Sequence, residues 1–256
     1  MKKFISFSGG VESSAMCVLY GNKADAIFAD TKYEHQKLYD RIEKVEKAVR
    51  EFHGNDFKII KVQKDEGGLP AYIKAKKFYP NFQARFCTRM FKIEPIDNYL
   101  KQFENEGAEI MIGLNADEIG DETEDPRTGN HGLLPFVKYS YPLADNGITR
   151  EICIKILESL DLATKFPPFM KRGGCIGCYY KSRKEYEAMA LLNPEEFKIV
   201  QDLEEEIQDK RDKFFSILPN KPMRQIKADV SNLLFKPEEI YSTINNATKC
   251  GVFCNR

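Results

Sequence analysis

Ser8-Gly9-Gly10-Val11-Glu12-Ser13-Ser14 is the stretch that decides the fold. It follows an apolar segment at residues 2–7, which predicts a β-strand, and it precedes residues 15–19, whose apolar positions have helical spacing. The glycines therefore lie at a strand-to-helix turn, where the backbone can approach an anion and the first N–H groups of the helix point at it. No lysine follows in the Walker pattern, which excludes an ordinary P-loop ATPase. We predict a phosphate site made of Ser8, Gly9, Gly10, Glu12, Ser13 and Ser14, whose serine hydroxyls add donors.

Beyond this turn, short apolar segments alternate with helical patterns. The predicted strands lie at residues 26–29, 57–62 and 110–112, and the predicted helices at residues 38–52 and 93–103. Leu38, Ile42 and Val45 recur at alternating steps of four and three, which is typical of an amphipathic helix. Strands that alternate with helices imply a mostly parallel sheet covered on both faces. The sequence therefore predicts a doubly wound α/β fold.

The second half of the chain has a different character, because clear strands stop and helical patterns dominate. Helices are predicted at residues 152–160, 186–192, 194 to about 215, and 237 to about 244. Pro194 and Pro237 each stand before two glutamates, and proline at the first helical position with acids in the first turn suits a helix N-terminus. We place a boundary near residues 142–147. This predicts a nucleotide-binding domain over residues 1–142 and a smaller helical, cysteine-containing domain over residues 143–256.

The overall charge excludes one class of protein. The 256 residues include 39 Lys and Arg against 39 Asp and Glu, and this neutral total argues against a generally basic nucleic-acid coat protein. No run of about 18 apolar residues is present, and the N-terminal segment turns polar too soon for a signal peptide. We therefore expect a cytoplasmic protein with no membrane partner. With only three histidines, a histidine-built zinc site or a Ser-His-Asp triad has little material.

The neutral total hides two basic windows that contain no acidic residue. The first basic window, residues 67–93, and the second basic window, residues 162–184, each carry six Lys or Arg, and six aromatic residues are interleaved in the first. Positive charge with aromatics suits a polyanion with stackable bases, such as tRNA or DNA, or a nucleotide with several phosphates; a solvated basic face is the alternative. Arg89 and Lys92 lie one turn apart at a helix start and are candidates for phosphate binding.

Two close cysteine pairs stand out among the seven cysteines. Cys175 and Cys178 can share one metal or cluster, and Cys250 and Cys254 offer two more thiols near the C-terminus. Disulfides are not expected in a cytosolic chain, which leaves zinc, iron–sulfur or a thiol redox pair as alternatives. Cys17 and Cys153 lie within apolar helices and fit buried hydrophobic positions instead.

Taken together, these motifs resemble the N-type ATP pyrophosphatases, the PP-loop or adenine nucleotide alpha hydrolase-like superfamily, and specifically its PAPS (phosphoadenosine phosphosulfate) reductase branch. The phosphate loop resembles the superfamily's SGG-x-[DE]-S motif. The other matching segments are Phe28-Ala29-Asp30-Thr31 with Glu34-His35, Phe86 to Ile96, Ile112 to Glu118, Tyr141-Pro142-Leu143 with Gly147-Ile148-Thr149, and Gly174 to Cys178 followed by Asn193 to Phe197. The last group resembles the C-terminal part of uncharacterised phage and bacterial members.

The resemblance implies an adenine nucleotide, ATP or PAPS/APS (adenosine phosphosulfate), bound with Mg²⁺ across the carboxyl edge of the sheet. Asp30 is then expected near the ribose or the metal. Two positions depart from the family. Glu12 replaces the commoner aspartate, and the arginine that usually follows Asp117-Glu118 is missing, so that Arg127 is the nearest one.

Iron–sulfur members of the family have two adjacent cysteines at the position that Phe86-Cys87 occupies in this chain, and a C-x-x-C farther along the sequence. The resemblance therefore favours a [4Fe–4S] cluster on Cys87, Cys175, Cys178 and a tail cysteine, Cys250 or Cys254. The rival is a structural zinc on Cys175, Cys178, Cys250 and Cys254, which would leave Cys87 free. In a third interpretation, Cys250 resembles the mobile cysteine of sulfonucleotide reductases, which attacks the sulfate sulfur.

Three functions follow from these motifs. The first is sulfur transfer, in which ATP adenylates an acceptor, with tRNA or DNA favoured, pyrophosphate leaves, and sulfur displaces AMP. The second is reduction of PAPS or APS to sulfite. The third is a nucleotide-binding regulatory module with a structural zinc. For the enzymatic functions we predict Cys87 and Cys250 as catalytic residues, a sulfur donor or thiol reductant protein as partner, and a homo-oligomer.

Overall fold

The computed structural model describes residues 1–119, 134–163, 166–171, 174–209 and 214–231. Its sheet has the strands β1 (Lys2–Ser6), β2 (Asp25–Ala29), β3 (Ile59–Val62), β4 (Ala108–Met111) and β5 (Val137–Ser140). The strand order is β3-β2-β1-β4-β5, and every neighbouring pair is parallel. The predicted doubly wound α/β fold is confirmed, with a sheet that is wholly parallel. The edge strand β5 was not predicted.

Helices fill the connections and dominate the chain after β5. They are α1 (Val11–Tyr20), α2 (Gln36–His53), α3 (Gly68–Lys76), α4 (Phe86–Thr88), a π-helical segment (Arg89–Ile93), α5 (Glu94–Leu100), α6 (Pro142–Asp145), α7 (Arg150–Ser159), α8 (Arg183–Leu192), α9 (Pro194–Asp209) and α10 (Met223–Ser231). Within the described residues, no helix combines the length and the apolar character that crossing a bilayer requires.

Alternating side chains of the strands feed two separate cores. On β1, Ile5 belongs to the larger core with α1 and α2, whereas Phe4 belongs to a smaller core against α5. On β2, Phe28 and Ile27 divide in the same way. Because successive strand residues point to opposite faces, this alternation shows that the sheet is covered on both sides.

The order of the strands determines where a ligand can lie. The chain winds from β1 to β2 and β3 on one side of the sheet, and then returns to β4 and β5 on the other side. The turns that leave β1 and β4 therefore separate at their carboxyl ends and open a crevice. In doubly wound sheets, ligands bind in this kind of crevice.

The C-terminal helices pack against the N-terminal half through a shared core. Helix α7 lies against α1, and α8 packs on α9, α10 and the turn at Pro168–Met170. The larger core includes Leu143, Cys153 and Met189 together with side chains of β1. The division at residue 142 remains a prediction.

Two helical predictions in this half have different outcomes. Helix α9 is described to Asp209, and Phe215 is not helical, so the helix stops short of the predicted end near residue 215. The buried carboxylate of Glu204 on α9 accepts the backbone N–H groups of Ile217 (3.0 Å) and Met223 (2.6 Å), so the non-helical segment before α10 packs back on α9. The helix predicted from residue 237 lies outside the described residues.

Candidate functional site

The predicted phosphate loop forms the turn between β1 and α1. Gly10 is the N-cap of α1, with an extended backbone (φ −72°, ψ 176°), and Gly9 has a φ of +75°. A Cβ atom at residue 9 would overlap Cδ1 of Leu38 on α2, so glycine is required there by both conformation and space. Because Gly10 has no side chain, it leaves the first N–H groups of α1 uncapped at the carboxyl edge of the sheet. Such groups bind anions.

The three serines of the loop have different roles. Ser13 is buried, and its Oγ accepts the backbone N–H of Ser8 (3.2 Å) and donates to the carbonyl of Gly10 (3.3 Å). Ser14 is fully buried, whereas Ser8 is exposed. Ser13 and Ser14 therefore maintain the shape of the loop. Ser8 and the main chain are left to donate to a phosphate.

Arg41 of α2 holds the loop from behind and was not among the predicted site residues. Its buried guanidinium donates to the carbonyl of Gly9 (2.8 Å), to Oγ of Ser14 (3.1 Å) and to the carbonyl of Leu162 (3.0 Å). Burial lowers the pKa of Arg41 to about 10, so the group stays charged at neutral pH. The sequence held one cue: Arg41 occupies a position of the buried stripe of α2, three residues after Leu38.

Glu12 is engaged by two residues from other parts of the chain. Its Oε1 accepts from Nη1 of Arg150, at the start of α7, and from Nδ2 of Asn115 (3.3 Å), after β4. The backbone N–H of Arg150 donates to Asp117 (2.9 Å). Arg150 thus brings a guanidinium to the loop, where the family usually supplies one from the segment after Asp117-Glu118. Arg127 lies outside the described residues.

Asp30 lies at the carboxyl end of β2, next to the strand that leads into the phosphate loop. This is the position that the sequence predicted for it. Its Oδ1 accepts the backbone N–H of Lys32 (2.8 Å) and the hydroxyl of Tyr39 (2.7 Å), and Oδ2 pairs with the Lys32 ammonium (3.1 Å). Burial, together with the hydrogen bond to Asp30, raises the pKa of Tyr39. Its role toward ribose or metal stays a prediction.

Arg89 and Lys92 lie on the π-helical segment and have different surroundings. Arg89 is largely exposed and pairs with Glu94 (3.7 Å). Lys92 lies close enough to Cys87 and Cys175 for its ammonium to oppose the rise in the pKa of both thiols. The structure therefore associates Lys92 with the cysteines, and phosphate binding by either residue stays a prediction.

The Cys175-x-x-Cys178 turn lies against the carboxyl end of β2. Cys175 forms an antiparallel bridge with Glu34, and its Sγ is 3.5 Å from both Oε1 of Glu34 and Oγ1 of Thr31. Burial and the Glu34 carboxylate raise the pKa of the Cys175 thiol. The second oxygen of Glu34, Oε2, is buried without a hydrogen-bond partner. A half-buried thiol beside a half-satisfied carboxylate marks this position as unusual for a core.

Cys87 and Cys178 belong to the same region. Burial raises the pKa of the Cys87 thiol, and the Lys92 ammonium opposes this rise. A negative charge on Cys178 would raise the pKa of Cys87 further, so the two thiols belong to the same electrostatic environment. In the described part of the chain, no three His, Cys, Asp or Glu side chains are placed as metal ligands, and Cys250 and Cys254 lie outside it. The thiols Cys87, Cys175 and Cys178 nevertheless fit a thiolate-bound metal in type, because sulfur ligands suit iron–sulfur clusters and zinc.

Two buried tyrosines shape the Cys175–Cys178 turn and were not predicted. The hydroxyl of Tyr79 donates to the carbonyl of Gly177 and lies 3.3 Å from the hydroxyl of Tyr33. A Cβ atom at residue 177 would overlap both hydroxyls. Glycine between the cysteines therefore lets the turn approach the tyrosines closely.

Behind this turn lies a buried polar group that joins α2 to α9. Nδ1 of His35 hydrogen-bonds Oε2 of Glu196, whose Oε1 accepts the backbone N–H of Gln36 (2.8 Å). Burial lowers the pKa of His35 despite the carboxylate, so the neutral ring donates from Nδ1. Nε2 is buried without a partner. Lys181, also buried, donates to the carbonyl of Phe169.

The two basic windows meet in the structure, although part of their charge is compensated. Phe82 of the first window contacts Tyr179 and Tyr180 of the second (ring centroids 5.3 and 4.9 Å apart). Lys74 pairs with Glu206 (2.8 Å), and Arg183 pairs with Glu187 (2.5 Å). These ion pairs favour a solvated basic face at Lys74 and Arg183. Lys165 and Arg172 lie outside the described residues.

Comparison with known proteins gives one match. The family model for the phosphoadenosine phosphosulfate reductase domain matches residues 2–143, which include all five strands, the phosphate loop, Asp30 and Cys87. No curated protein and no solved structure matches the chain. The match covers more than half of the chain and confirms the family inferred from the motifs. The chain therefore belongs to the phosphoadenosine phosphosulfate reductase domain family, whose members are enzymes that bind adenine nucleotides and perform sulfur chemistry.

Proposed function

We propose that this protein is an ATP-dependent sulfur-transfer enzyme that adenylates an acceptor for thiolation. The observation that carries the proposal is the contact between Cys175 and Thr31 (3.5 Å) at the carboxyl end of β2. Strand β2 pairs with β1, which runs into the phosphate loop, and neighbouring strands lie about 4.8 Å apart. The candidate sulfur site and the candidate nucleotide site are therefore adjacent at one edge of the sheet.

The proposed reaction has two steps. An oxygen of the acceptor attacks the α-phosphorus of ATP, the bond to the β,γ-phosphates breaks, and pyrophosphate leaves. A sulfur nucleophile then attacks the activated carbon and releases AMP. If the donor is a persulfide, its terminal sulfur forms the new bond, and a thiol reductant cleaves the remaining S–S bond.

Residues of the loop have defined tasks in the first step. The N–H groups at the start of α1 and the Ser8 hydroxyl donate to the phosphates, and Arg150 adds positive charge that stabilises the leaving pyrophosphate. Glu12 and Asp30 are the carboxylates that would hold the Mg²⁺ that accompanies ATP. Because Arg41 uses its hydrogen bonds to support the loop, Arg150 is our candidate for the guanidinium that contacts the phosphates.

The sulfur step would use the cysteines. We propose that Cys87, Cys175, Cys178 and one of Cys250 and Cys254 hold a [4Fe–4S] cluster, with a zinc on Cys175, Cys178, Cys250 and Cys254 as the alternative. A bound cluster would supply a site from which sulfur reaches the acceptor. A reducing, cytoplasmic setting is part of the proposal, because thiolate ligands persist where thiols stay reduced. A homo-oligomer remains part of the proposal.

Release of pyrophosphate from ATP tests the function. Purified protein is incubated anaerobically with MgATP and inorganic sulfide, alone and with bulk tRNA or single-stranded DNA, and pyrophosphate and AMP are measured. We expect nucleic acid to increase the amounts of pyrophosphate and AMP formed, and to increase both equally. Absence of pyrophosphate under every condition would overturn the proposal.

The family match favours a second candidate, reduction of PAPS or APS. A cysteine thiolate, Cys250 in our prediction, would attack the sulfate sulfur and form a thiosulfonate as adenosine bisphosphate or AMP leaves. A thiol reductant would then release sulfite. Sulfite formed from PAPS, together with no pyrophosphate from ATP, would select this reaction, and Cys250→Ser should then abolish it.

A further inference from the structure

An aromatic cluster with one exposed ring, that of Phe82, lies where the two basic windows meet; Tyr180 and Arg85 are half-buried and Tyr179 is buried beneath them. The ring of Phe82 is 67% exposed and stands edge-on to Tyr180 (4.9 Å between centroids, 89° between planes) and to Tyr179 (5.3 Å, 81°). Tyr179 and Tyr180 lie 4.4 Å apart and are tilted by 34°. We call these three residues together with Arg85 the aromatic platform.

Arg85 adds positive charge to this cluster. Its guanidinium lies 5.6 Å from the centre of the Tyr180 ring, within the range of a cation–π interaction. The windows that supply the platform, residues 67–93 and 162–184, contain no acidic side chain. An aromatic face next to a guanidinium complements a base attached to a phosphate backbone.

The location of the platform connects it to the candidate sulfur site. Tyr179 follows Cys178 directly in the chain, and Arg85 is two residues before Cys87. A ligand held on the platform would therefore lie against residues that are next to Cys87 and Cys178 in the chain.

Exposure alone does not distinguish Phe82 from other phenylalanines. Phe52 on α2 is 57% exposed, but its aromatic contact is with its neighbour His53 on the same helix. Phe82 instead contacts rings almost one hundred positions away and completes a charged cluster. The difference is the arrangement of several rings and a cation on one surface.

We propose that the aromatic platform binds an unpaired nucleobase of a single-stranded or looped-out acceptor nucleic acid. Stacking requires an exposed base face, which a base within a duplex does not offer. The functional role of this base contact rests on the proposed sulfur transfer, because a base held on the platform would place the neighbouring nucleotide near the cysteines. The binding itself does not depend on ATP chemistry.

Fluorescence anisotropy with labelled 12-nucleotide DNA and RNA single strands, and with matching duplexes, tests this inference. We expect single strands to bind at least tenfold more tightly than duplexes, and Phe82→Ala to weaken single-strand binding about 5- to 150-fold. The matched control, Phe52→Ala, should leave binding within twofold of the wild type. Arg85→Lys, which keeps the charge and removes the planar group, should weaken it as well.

The outcomes separate this inference from the proposed function. If Phe82→Ala binds single strands like the wild type, or if duplexes bind equally well, the platform does not recognise a base. Saturable binding of an aromatic peptide, with no binding of single strands, would point to a protein partner and overturn the inference. ATP affinity of Phe82→Ala should equal that of the wild type. A wild type that binds single strands through Phe82 but forms no pyrophosphate would contradict the proposed function alone.

Discussion

The carboxylate of Glu12 in the phosphate loop pairs with the guanidinium of Arg150, 138 positions later in the chain. A carboxylate in this loop would repel bound phosphates unless a cation accompanies it. Arg150 provides that cation, and the hydrogen bond between its backbone N–H and Asp117 holds it at the crevice. Glu12 replaces the commoner aspartate, and its longer side chain reaches across to Arg150.

Replacing Arg150 with methionine should therefore weaken the binding of MgATP. We expect the dissociation constant to rise roughly tenfold or more, because a charged hydrogen bond to phosphate is lost and Glu12 is left uncompensated. Isothermal titration calorimetry with ATP, and with adenosine as a ligand without phosphates, measures the effect. Adenosine binding should not change.

Lys155→Met is the matched control for this experiment. Lys155 lies on the same helix and pairs with Glu151 (2.7 Å), away from the loop. If both variants weaken ATP binding equally, the effect reflects the stability of α7 and not contact with phosphates.

Gly9→Ala should destabilise the fold more than Gly54→Ala. Both glycines have positive φ, so each substitution adds strain of about 1–2 kcal/mol. Only at Gly9 would the new methyl group overlap a side chain, that of Leu38, which should cost a further 1–3 kcal/mol or so. Urea denaturation of the two variants measures the difference. Equal losses would show that the loop relaxes away from α2.

His35 should make the protein less stable as the pH falls from 7 to about 5.5. The unfolded histidine binds a proton near pH 6.5, whereas burial lowers the pKa of folded His35, so the unfolded state takes up more protons in this range. The groups facing His35 are Glu196, Glu34 and Lys181. The free energy of unfolding of the wild type should decrease by up to about 1.4 kcal/mol per pH unit from this residue.

His35→Asn keeps a donor near the position of Nδ1 and removes the titration. Its free energy of unfolding should fall less steeply over the same pH range, as measured by urea titrations at several pH values. If the slopes of the two proteins coincide, His35 is not the group that titrates.

Cysteine substitutions should distinguish the cluster from zinc. Protein purified without oxygen is analysed for iron, zinc and acid-labile sulfide. With a [4Fe–4S] cluster, both Cys87→Ser and Cys175→Ser should lose the metal. With the alternative zinc site, Cys175→Ser should lose it and Cys87→Ser should keep it.

Cys17→Ala serves as the control, since burial raises the pKa of Cys17 and its side chain is a small apolar part of the core. It should retain full metal content. Wild-type protein that holds neither iron nor zinc would contradict both arrangements.

The elements that could be predicted from the sequence are those that a local pattern of residues determines. The steps from Leu38 to Val45 on α2, and the glycines of the phosphate loop, reflect backbone periodicity and conformation that neighbouring residues determine. Strand β5 was missed because Val137–Ser140 has four residues and no long apolar run. Helix α3 was missed because it contains Pro70 and has only two large buried side chains, Leu69 and Ile73, to mark a helical pattern.

The supporting residues of the site could not be predicted in the same way. Arg150 contacts Glu12 across 138 positions of the chain, and Tyr79 contacts Gly177 across 98. Such contacts arise only when the sheet brings distant turns to one edge. Sequence patterns identified the loop and the cysteines, and tertiary packing decided which side chains hold them.

The three hydrogen bonds of Arg41 have a consequence for any attempt to shorten the protein. One of them ends on the carbonyl of Leu162, beyond the segment that matches the family. A fragment that ended at residue 142 would keep every strand of the described sheet. It would, however, remove the acceptor of Nη1 of Arg41, a buried and charged donor behind Gly9. The minimal nucleotide-binding unit therefore extends past the last strand, at least to the residue that closes this bond.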